Sequence, residues 1–246
     1  MSFDLTIQLL SPEEISAEEA YELCEVVDRA FGNPPSSKDT VEHIVHADRI
    51  TLAKEDEKFI GFGSTLFNPV ENLDDSHLVH HSMAIEPEYQ DLGLSRVMSD
   101  MCTIWNPKRS EKYLVAGRTA HPAFLEYYNM DEKMNGVDSE TSKNLEVLAS
   151  IWGEEPDENL LFKNTFEQPM YSDENLEYFR ERVSNSVGVE YDPGAGDAFL
   201  VWEKTNLRDK MCSLERNLAQ IDYGILDGIH NAISDTYSDA AIFKPQ

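Results

Sequence analysis

The run SMAIEPEYQDLGLS, residues 82–95, decides the fold and the candidate site of this chain. Its first apolar residues predict the end of a strand, and Pro87 blocks the continuation of that strand. The turn that follows contains Gly93 and opens a helix, so backbone N–H groups from about Leu92 to Arg96 have no acceptor within the helix. Such a positively polarised helix start binds phosphate without side-chain cations, and Gly93 lets a phosphate approach the backbone closely.

Strand and helix signals alternate on both sides of this run. Alternating apolar residues predict strands, and apolar residues spaced three and four apart predict helices. Up to residue 130 the predicted order is a strand at 3–10, a helix that starts at 11–14, a short helix at 39–47, strands at 50–54, 59–67 and 77–85, a helix at 94–105, a strand at 113–119 and a helix at 122–130. This order predicts a mixed α/β fold with antiparallel hairpins in its first half.

Beyond about residue 131 the signals are weaker. They predict helical segments and one strand, at 141–152, 173–187 and 207–233 for the helices and 198–203 for the strand. A boundary near 131–139 divides the chain into two parts. Residues 1–135 are predicted to form a ligand-binding core, and residues 136–246 to complete the fold and add a helical extension of unknown role.

The composition indicates a folded protein with a strongly acidic surface. The 246 residues include 47 Asp and Glu against 20 Lys and Arg, a net charge of −27, while 41% of the residues are hydrophobic. Because the acids are interspersed with apolar residues, we expect a folded chain and not a disordered one. Adaptation to a high-salt cytoplasm is favoured over an electrostatic function of the charge. The charge also argues against nucleic acid or an anionic membrane as a partner.

Cysteine and histidine spacing argue against a metal site. The three cysteines are far apart in sequence and form no Cys-x-x-Cys pair, so neither a disulfide framework nor a zinc site is expected. Strict alternation places His80 on the face of its strand opposite His77 and His81, which separates the three histidines. His43 and His46 are interpreted as surface histidines of a short helix. With neither a leader nor a long apolar run, we expect a cytoplasmic protein.

The 82–95 run resembles the central motif of the GNAT acyltransferase superfamily. Six residues match the pattern of that motif, namely Ile85, Pro87, Tyr89, Gln90, Gly93 and Ser95, although Gly or Ala is usual where Ser95 stands. The resemblance covers about residues 3–130, and the usual Gly-Phe after the later helix is missing. It implies a central, mostly antiparallel sheet flanked by helices.

The resemblance also implies acetyl-CoA as cosubstrate and a set of residues that hold it. In that family the loop amides bind the pyrophosphate and the end of the preceding strand pairs with the pantetheine. Carried over to this chain, the cofactor-binding residues are Met83, Ala84, Ile85, Gln90, Asp91, Leu92, Gly93, Leu94, Ser95 and Arg96. The function implied is an N-acetyltransferase that moves an acetyl group to a primary amine by direct attack.

Two side chains are the candidate catalytic residues. Alternation places His81 on the same face as Met83 and Ile85, and a histidine with an ordinary pKa near 6.5 suits a general base. The position of His81 also resembles that of a base histidine in arylalkylamine-type members of the family. The run 123–128 resembles the later helix of that family, whose tyrosine often approaches the CoA sulfur, and this implies a tyrosine acid for the departing thiolate. Tyr128 is the candidate, because Tyr127 shares a helical face with Phe124 and is expected to pack in the core; core packing is the alternative for either tyrosine.

A second interpretation remains open. A GNAT-like fold could bind acyl-CoA, or only a protein partner, as a regulatory module without turnover. The acceptor is equally open, since small amines, amino acids, antibiotics and protein N-termini all fit a family whose acceptor pockets are built by variable loops. The predicted C-terminal helical run could supply a surface for a homodimer.

Overall fold

A computed structural model describes the chain over residues 5–31, 37–67, 69–70, 77–106, 110, 112–121, 124–125, 128, 138–153, 155–166, 171, 173–187 and 189–219. Within these residues, seven strands form one sheet: β1 (Leu5–Leu10), β2 (Arg49–Glu55), β3 (Lys58–Phe67), β4 (His77–Ile85), β5 (Tyr113–Thr119), β6 (Leu161–Phe162) and β7 (Ala198–Thr205). The helices are α1 (Ala17–Ala30), α2 (Ser37–Val45), α3 (Leu94–Ile104), α4 (Ser139–Ala149), α5 (Asp173–Val187) and α6 (Leu207–Leu218).

The strand order of the sheet is β1-β2-β3-β4-β5-β7-β6. Every neighbouring pair is antiparallel except β4 and β5, which run parallel. The predicted fold class is therefore confirmed: a mixed, mostly antiparallel sheet with helices around it. The two strands of the second half, β6 and β7, extend the same sheet beyond β5.

Helices cover the sheet on two sides. On one side α3 and α6 pack against the sheet through a cluster that includes Ile60, Ile85, Leu94 and Met98. On the other side α1 and α2 pack over Phe62 and Ala84. A further cluster around β5, β7, α4 and α5 contains the buried rings of the second half. The two sides of β4 therefore belong to different cores, and this decides what each of its side chains can reach.

The first helix begins later than the sequence pattern predicts. Residues Pro12–Glu14 form a single 3-10 turn, Ile15 is extended, and α1 begins after Ser16. Both Ser11 and Ser16 are followed three residues later by a glutamate, and both make the reciprocal bonds of a capping box. Two start signals thus lie in succession, and the fold uses the second one for the long helix.

Several predicted elements lie partly outside the described residues. The predicted helix at 122–130 is described only at Phe124, Leu125 and Tyr128, and the run predicted as helical to residue 233 is described only to residue 219. Tyr127 also lies outside the described residues. Within the described part of the chain, none of the helices combines the length and the apolar character that crossing a membrane requires.

Candidate active site

The candidate site lies where β4 and β5 part. The two strands pair in parallel from His77 with Leu114 to His80 with Gly117. Beyond that point β4 continues to Ile85 and, in the described part of the chain, pairs with β3 alone, while β5 continues beside β7. A cleft of about 880 Å³ opens at this separation and is lined from both strands and from the elements on either side. A gap between parallel strands exposes backbone and side chains from both faces of the sheet to the same ligand.

A β-bulge in β4 changes which residues face which side. Thr65 of β3 pairs with His80 and Ser64 pairs with Ser82, so His81 is an additional residue in the β4 ladder. Met83 packs against the α3 core, and the ring of His81 lies 4.1 Å from that of His43 on α2.

The prediction that His81 shares a face with Met83 and Ile85 is therefore wrong, because strict alternation does not hold across a bulge. His80 shares their face instead. The Nδ1 of His80 lies 3.1 Å from Thr65 Oγ1, so His80 and Thr65 are on one face of the sheet. Gly63 lies two residues before Thr65 and faces the same way, and a Cβ added there would meet the end of the Met83 side chain. The predicted separation of His80 from His81 holds.

The proposed phosphate end of the cleft is the start of α3. A 3-10 turn over Pro87–Leu92 leads into Gly93, which adopts the left-handed conformation with φ 77° and ψ 15°. No side chain in the described part of the chain caps the first turn of α3. A Cβ added at Gly93 would meet no atom within 4 Å, so the space over this turn is open. An uncapped helix start with open space above it fits an anionic group.

The predicted cofactor-binding residues divide into backbone and side-chain contributors. Ser95 and Gln90 line the cleft, and Gln90 Nε2 donates to the carbonyl oxygen of Ile85 at 3.0 Å, which ties the turn to the strand end. Leu94 is fully buried in the α3 core, so only its backbone can face a ligand. Leu92 and Arg96 are exposed, Ala84 and Ile85 are buried, and the Asp91 side chain lies outside the description.

Ion pairs and one tyrosine fix the turn before α3. Glu86 is almost fully buried, and it accepts from Arg29 Nε at 2.5 Å and from Lys58 Nζ at 2.7 Å. Tyr89 donates to Glu55 Oε2 at 2.6 Å, and this bond raises the Tyr89 pKa above its ordinary value. Glu86 is thus occupied by two cations and serves to hold the turn.

Two histidines face each other on the α2 side of the cleft. Burial, together with the charges of His43, Arg118 and His46, lowers the pKa of His81 to about 3. Burial also lowers the pKa of His43, with Arg118 again contributing. Both rings are therefore neutral at pH 7. The sequence prediction of an ordinary pKa for His81 is corrected, because it took no account of the surrounding core.

His43 is a cleft residue that the sequence analysis assigned to the surface. It lies three residues after buried Thr40 and next to buried Ile44, so it belongs to the inward side of α2. The helical spacing of Thr40, His43 and Ile44 could have indicated this position. Arg118 and Thr165 also line the cleft, and no local motif in the sequence indicated either of them.

Tyr128 lies at the far wall of the cleft among aromatic rings. It is 4% exposed, belongs to the core of the second half, and lines the cleft as well. Its ring stacks on that of Phe124 at 6.5 Å between centroids. Packing in the core and contact with the cleft are thus combined in one residue, although the prediction treated them as alternatives. His121 and Tyr171, 5.6 Å apart between ring centroids, continue the same wall.

Comparison with solved structures finds similarity to acetyltransferases. The ribosomal-protein-S18-alanine N-acetyltransferase of Escherichia coli is 15% identical, covers 50% of this chain and 74% of its own, and superposes with a TM-score of 0.39. An acetyltransferase of Thermus thermophilus is 15% identical over 52% and 86% of the two chains, with a TM-score of 0.40. The diaminobutyrate acetyltransferase of Paenibacillus lautus is 12% identical over 51% and 76%, with a TM-score of 0.35.

These similarities concern the fold alone. A structure described as a putative acetyltransferase of the GNAT family, from Desulfovibrio desulfuricans, is also among the neighbours, at 16% identity and a TM-score of 0.38. No protein-family model matches the chain, and no curated protein matches it. Each similarity spans about half of the chain.

Proposed function

We propose that this chain is an N-acetyltransferase that moves an acetyl group from acetyl-CoA to a primary amine by direct attack. The observation that carries the proposal is the cleft between β4 and β5, which joins an uncapped helix start on the α3 side to neutral histidines on the α2 side. A ligand with an anionic end and a reactive end fits such a passage, and CoA thioesters have both.

The start of α3 would hold the phosphates of CoA. No side chain in the described part of the chain caps the first turn of α3, and the open space above Gly93 leaves room for a pyrophosphate at the backbone N–H groups before Arg96. The Arg96 N–H itself donates to the Gly93 carbonyl oxygen at 3.1 Å. Gln90 keeps this turn against the end of β4, where the backbone of Met83 to Ile85 would pair with the pantetheine. The site therefore binds mainly through its backbone, which explains how an acidic protein can bind an anionic cofactor.

The chemistry requires a nucleophile, a proton acceptor and a proton donor. Acetyl-CoA supplies the activated acyl group: the amine nitrogen bonds to the carbonyl carbon as the carbon–sulfur bond breaks. His81, neutral in the cleft, accepts the proton that the amine loses, directly or through water, and does so as a weaker base than an ordinary histidine because burial lowers its pKa. Tyr128 donates its hydroxyl proton to the departing sulfur, and backbone N–H near Met83 stabilises the carbonyl oxygen.

The two parts of the chain share this work in the proposal. Residues 1–135 supply the cofactor-binding turn and the histidines. Residues 136–246 complete the sheet through β7, which pairs with β5 along its whole length, and supply part of the acceptor wall. The function of the residues after α6 stays outside the proposal.

The proposal is tested by release of free thiol from acetyl-CoA over a panel of primary amines. His81→Ala is expected to lower the rate by roughly 100-fold or more, in the range of general-base catalysis, with acetyl-CoA affinity nearly unchanged. Tyr128→Phe is expected to slow turnover less, since water can protonate the thiolate. His46→Ala serves as control, because His46 is exposed in the turn just after α2 and does not line the cleft.

Two outcomes would contradict the proposal. If the folded protein binds CoA in calorimetry but releases no thiol with any amine of the panel, the non-catalytic interpretation is correct. If His81→Ala retains the wild-type rate while turnover is robust, His81 is not the base and solvent takes the proton.

A further inference from the structure

Arg118 stands beside His81 at the point where the strands part. His80 and Gly117 form the last pair between β4 and β5, and the next residue on each strand is His81 and Arg118. A Cβ on Gly117 would lie 3.7 Å from the Cβ of His80, so these two share the α3 face of the sheet. Because side chains alternate along β5, Arg118 lies on the opposite face, the one on which His81 meets His43.

The guanidinium of Arg118 is held in a defined orientation. Its Nη1 donates to Thr165 Oγ1. The guanidinium carbon lies 4.9 Å from the ring centroid of Phe166, 5.5 Å from that of Trp152 and 5.9 Å from that of Phe162. Aromatic faces attract a guanidinium and restrict its plane, so less conformational entropy is lost when it binds a ligand.

The charge of Arg118 is unusual for its surroundings. Among the described residues that line the cleft, it is the single Lys or Arg, and the chain as a whole carries a net charge of −27. Two exposed carboxylates, Asp39 and Glu42, also line the cleft and favour the entry of an ammonium group. An oriented guanidinium deeper in such a cleft matches the two oxygens of a carboxylate.

We propose that the acceptor is an amino acid or another amine with a carboxylate, and that Arg118 binds this carboxylate while the amine lies at His81. The inference rests on the proposed function, since it names the substrate class of the same site. Arg118 is thus a specificity-determining residue. The aromatic wall of Phe124, His121 and Tyr171 would contact the rest of an acceptor with an apolar side chain.

Binding of the carboxylate would also assist the chemistry. Burial is the main cause that keeps the pKa of His81 low, and the charge of Arg118 adds to it. A carboxylate paired with Arg118 offsets that charge, so the His81 ring accepts the proton of the amine more readily with an anionic acceptor than with a neutral one. Selectivity is then expected in kcat as well as in KM.

The test compares amino acids with the amines that lack only their carboxylate. The pairs are phenylalanine with 2-phenylethylamine, tryptophan with tryptamine, and lysine with 1,5-diaminopentane, each measured as kcat/KM for thiol release. The full-length protein is expected to prefer at least one amino acid over its partner by roughly tenfold to a hundredfold, the range of charge-assisted hydrogen bonds. Arg118→Gln should remove this preference, and Arg118→Lys should restore part of it.

A structural role for Arg118 gives a different pattern. If the guanidinium only pins the 161–166 segment, Arg118→Gln lowers the melting temperature and reduces kcat/KM for both members of each pair equally, which overturns the inference. Arg216→Gln is the control, because Arg216 lies at the exposed end of α6 and should change neither member.

The inference and the proposed function fail in different ways. Efficient turnover of the carboxylate-free amines, with no preference for any amino acid, overturns the inference and leaves the acetyltransferase intact. No turnover with any acceptor overturns the proposed function and the inference with it.

Discussion

The two halves of the cleft are built from different kinds of sequence. The cofactor half comes from one continuous run, residues 82–96, in which a strand, a turn and a helix start follow one another. The acceptor half is assembled from α2, β4, β5 and the later residues Thr165, Phe166 and Tyr171, which together spread over more than a hundred positions of the chain. A continuous site can be identified from its spacing, whereas an assembled one depends on the pairing of distant strands.

The two halves also stabilise themselves differently. Behind the cofactor half, Lys210 of α6 lies between Asp100 of α3, at 2.9 Å, and Glu203 of β7, with almost no exposure of Lys210 or Asp100. On the acceptor half, Lys163 pairs with buried Asp197 at 2.9 Å, but Lys163 is half exposed, and the rings that face the cleft are aromatic side chains and neutral histidines. Loss of a fully buried cation is therefore expected to matter most behind the cofactor half, and gain of a charge on a buried ring most on the acceptor half.

Lys210→Met is expected to give the largest effect on stability. The substitution leaves Asp100 buried without its cation, and removing one member of a buried ion pair costs about 3–5 kcal/mol. The free energy of unfolding from urea titration measures the loss. Asp100→Leu combined with Lys210→Met should recover part of it, because the double variant no longer buries the Asp100 charge.

Lys204→Met is the matched control for this prediction. Lys204 pairs with Asp138 at 2.7 Å, but both side chains are more than half exposed, and such surface pairs contribute roughly 0–1 kcal/mol. If Lys210→Met and Lys204→Met destabilise the protein equally, the buried cluster does not hold α6 to α3 and the contrast between the two halves is wrong.

Gly93→Val should weaken CoA binding strongly while most of the fold remains. A branched side chain at φ 77° is strained by about 1–2 kcal/mol, and its Cβ enters the open space that a pyrophosphate would use. Loss of one or two charge-assisted bonds to the turn then weakens affinity by roughly 100-fold, measured by calorimetry.

Gly153→Val separates the two causes of that loss. Gly153 has φ 72° and equally open space, but it follows a 3-10 turn in the second half of the chain. The same backbone strain there should lower the melting temperature and leave CoA affinity unchanged. Unchanged affinity in folded Gly93→Val would instead remove the start of α3 as the phosphate site.

The bounds of an element were predicted correctly where the local sequence offered a single start or end for it. The strands at 77–85 and 113–119 have the predicted bounds, and α3 begins at Leu94 as the glycine in the turn indicated. The first helix was misplaced because two capping boxes compete, and only packing of the later turns against the sheet selects Ser16. The face of His81 was wrong because a bulge depends on the partner strand, which no local pattern contains.

The acceptor half leads to a prediction about pH. The pKa of His81 is lowered to about 3 and that of His121 to about 4, in both cases chiefly by burial, whereas an unfolded histidine titrates near 6.5. Between about pH 4 and pH 6.5 the unfolded chain therefore binds protons that the folded chain does not. Stability is complete above pH 6.5 and is lost as the pH falls through this window.

His121→Gln sharpens this prediction, because glutamine cannot gain a charge when the pH falls. From pH 8 to pH 5 the wild-type free energy of unfolding should fall by about 1–2 kcal/mol more than that of His121→Gln, and His81→Gln should behave alike. Comparing each variant with itself at pH 8, where both rings are neutral, removes the effect of the lost packing. Parallel curves for wild type and variants would mean that these rings charge freely in the folded state. Solvent would then reach the rings of the acceptor half. His81 would be protonated at pH 5 to 6 and could not accept the proton of the amine.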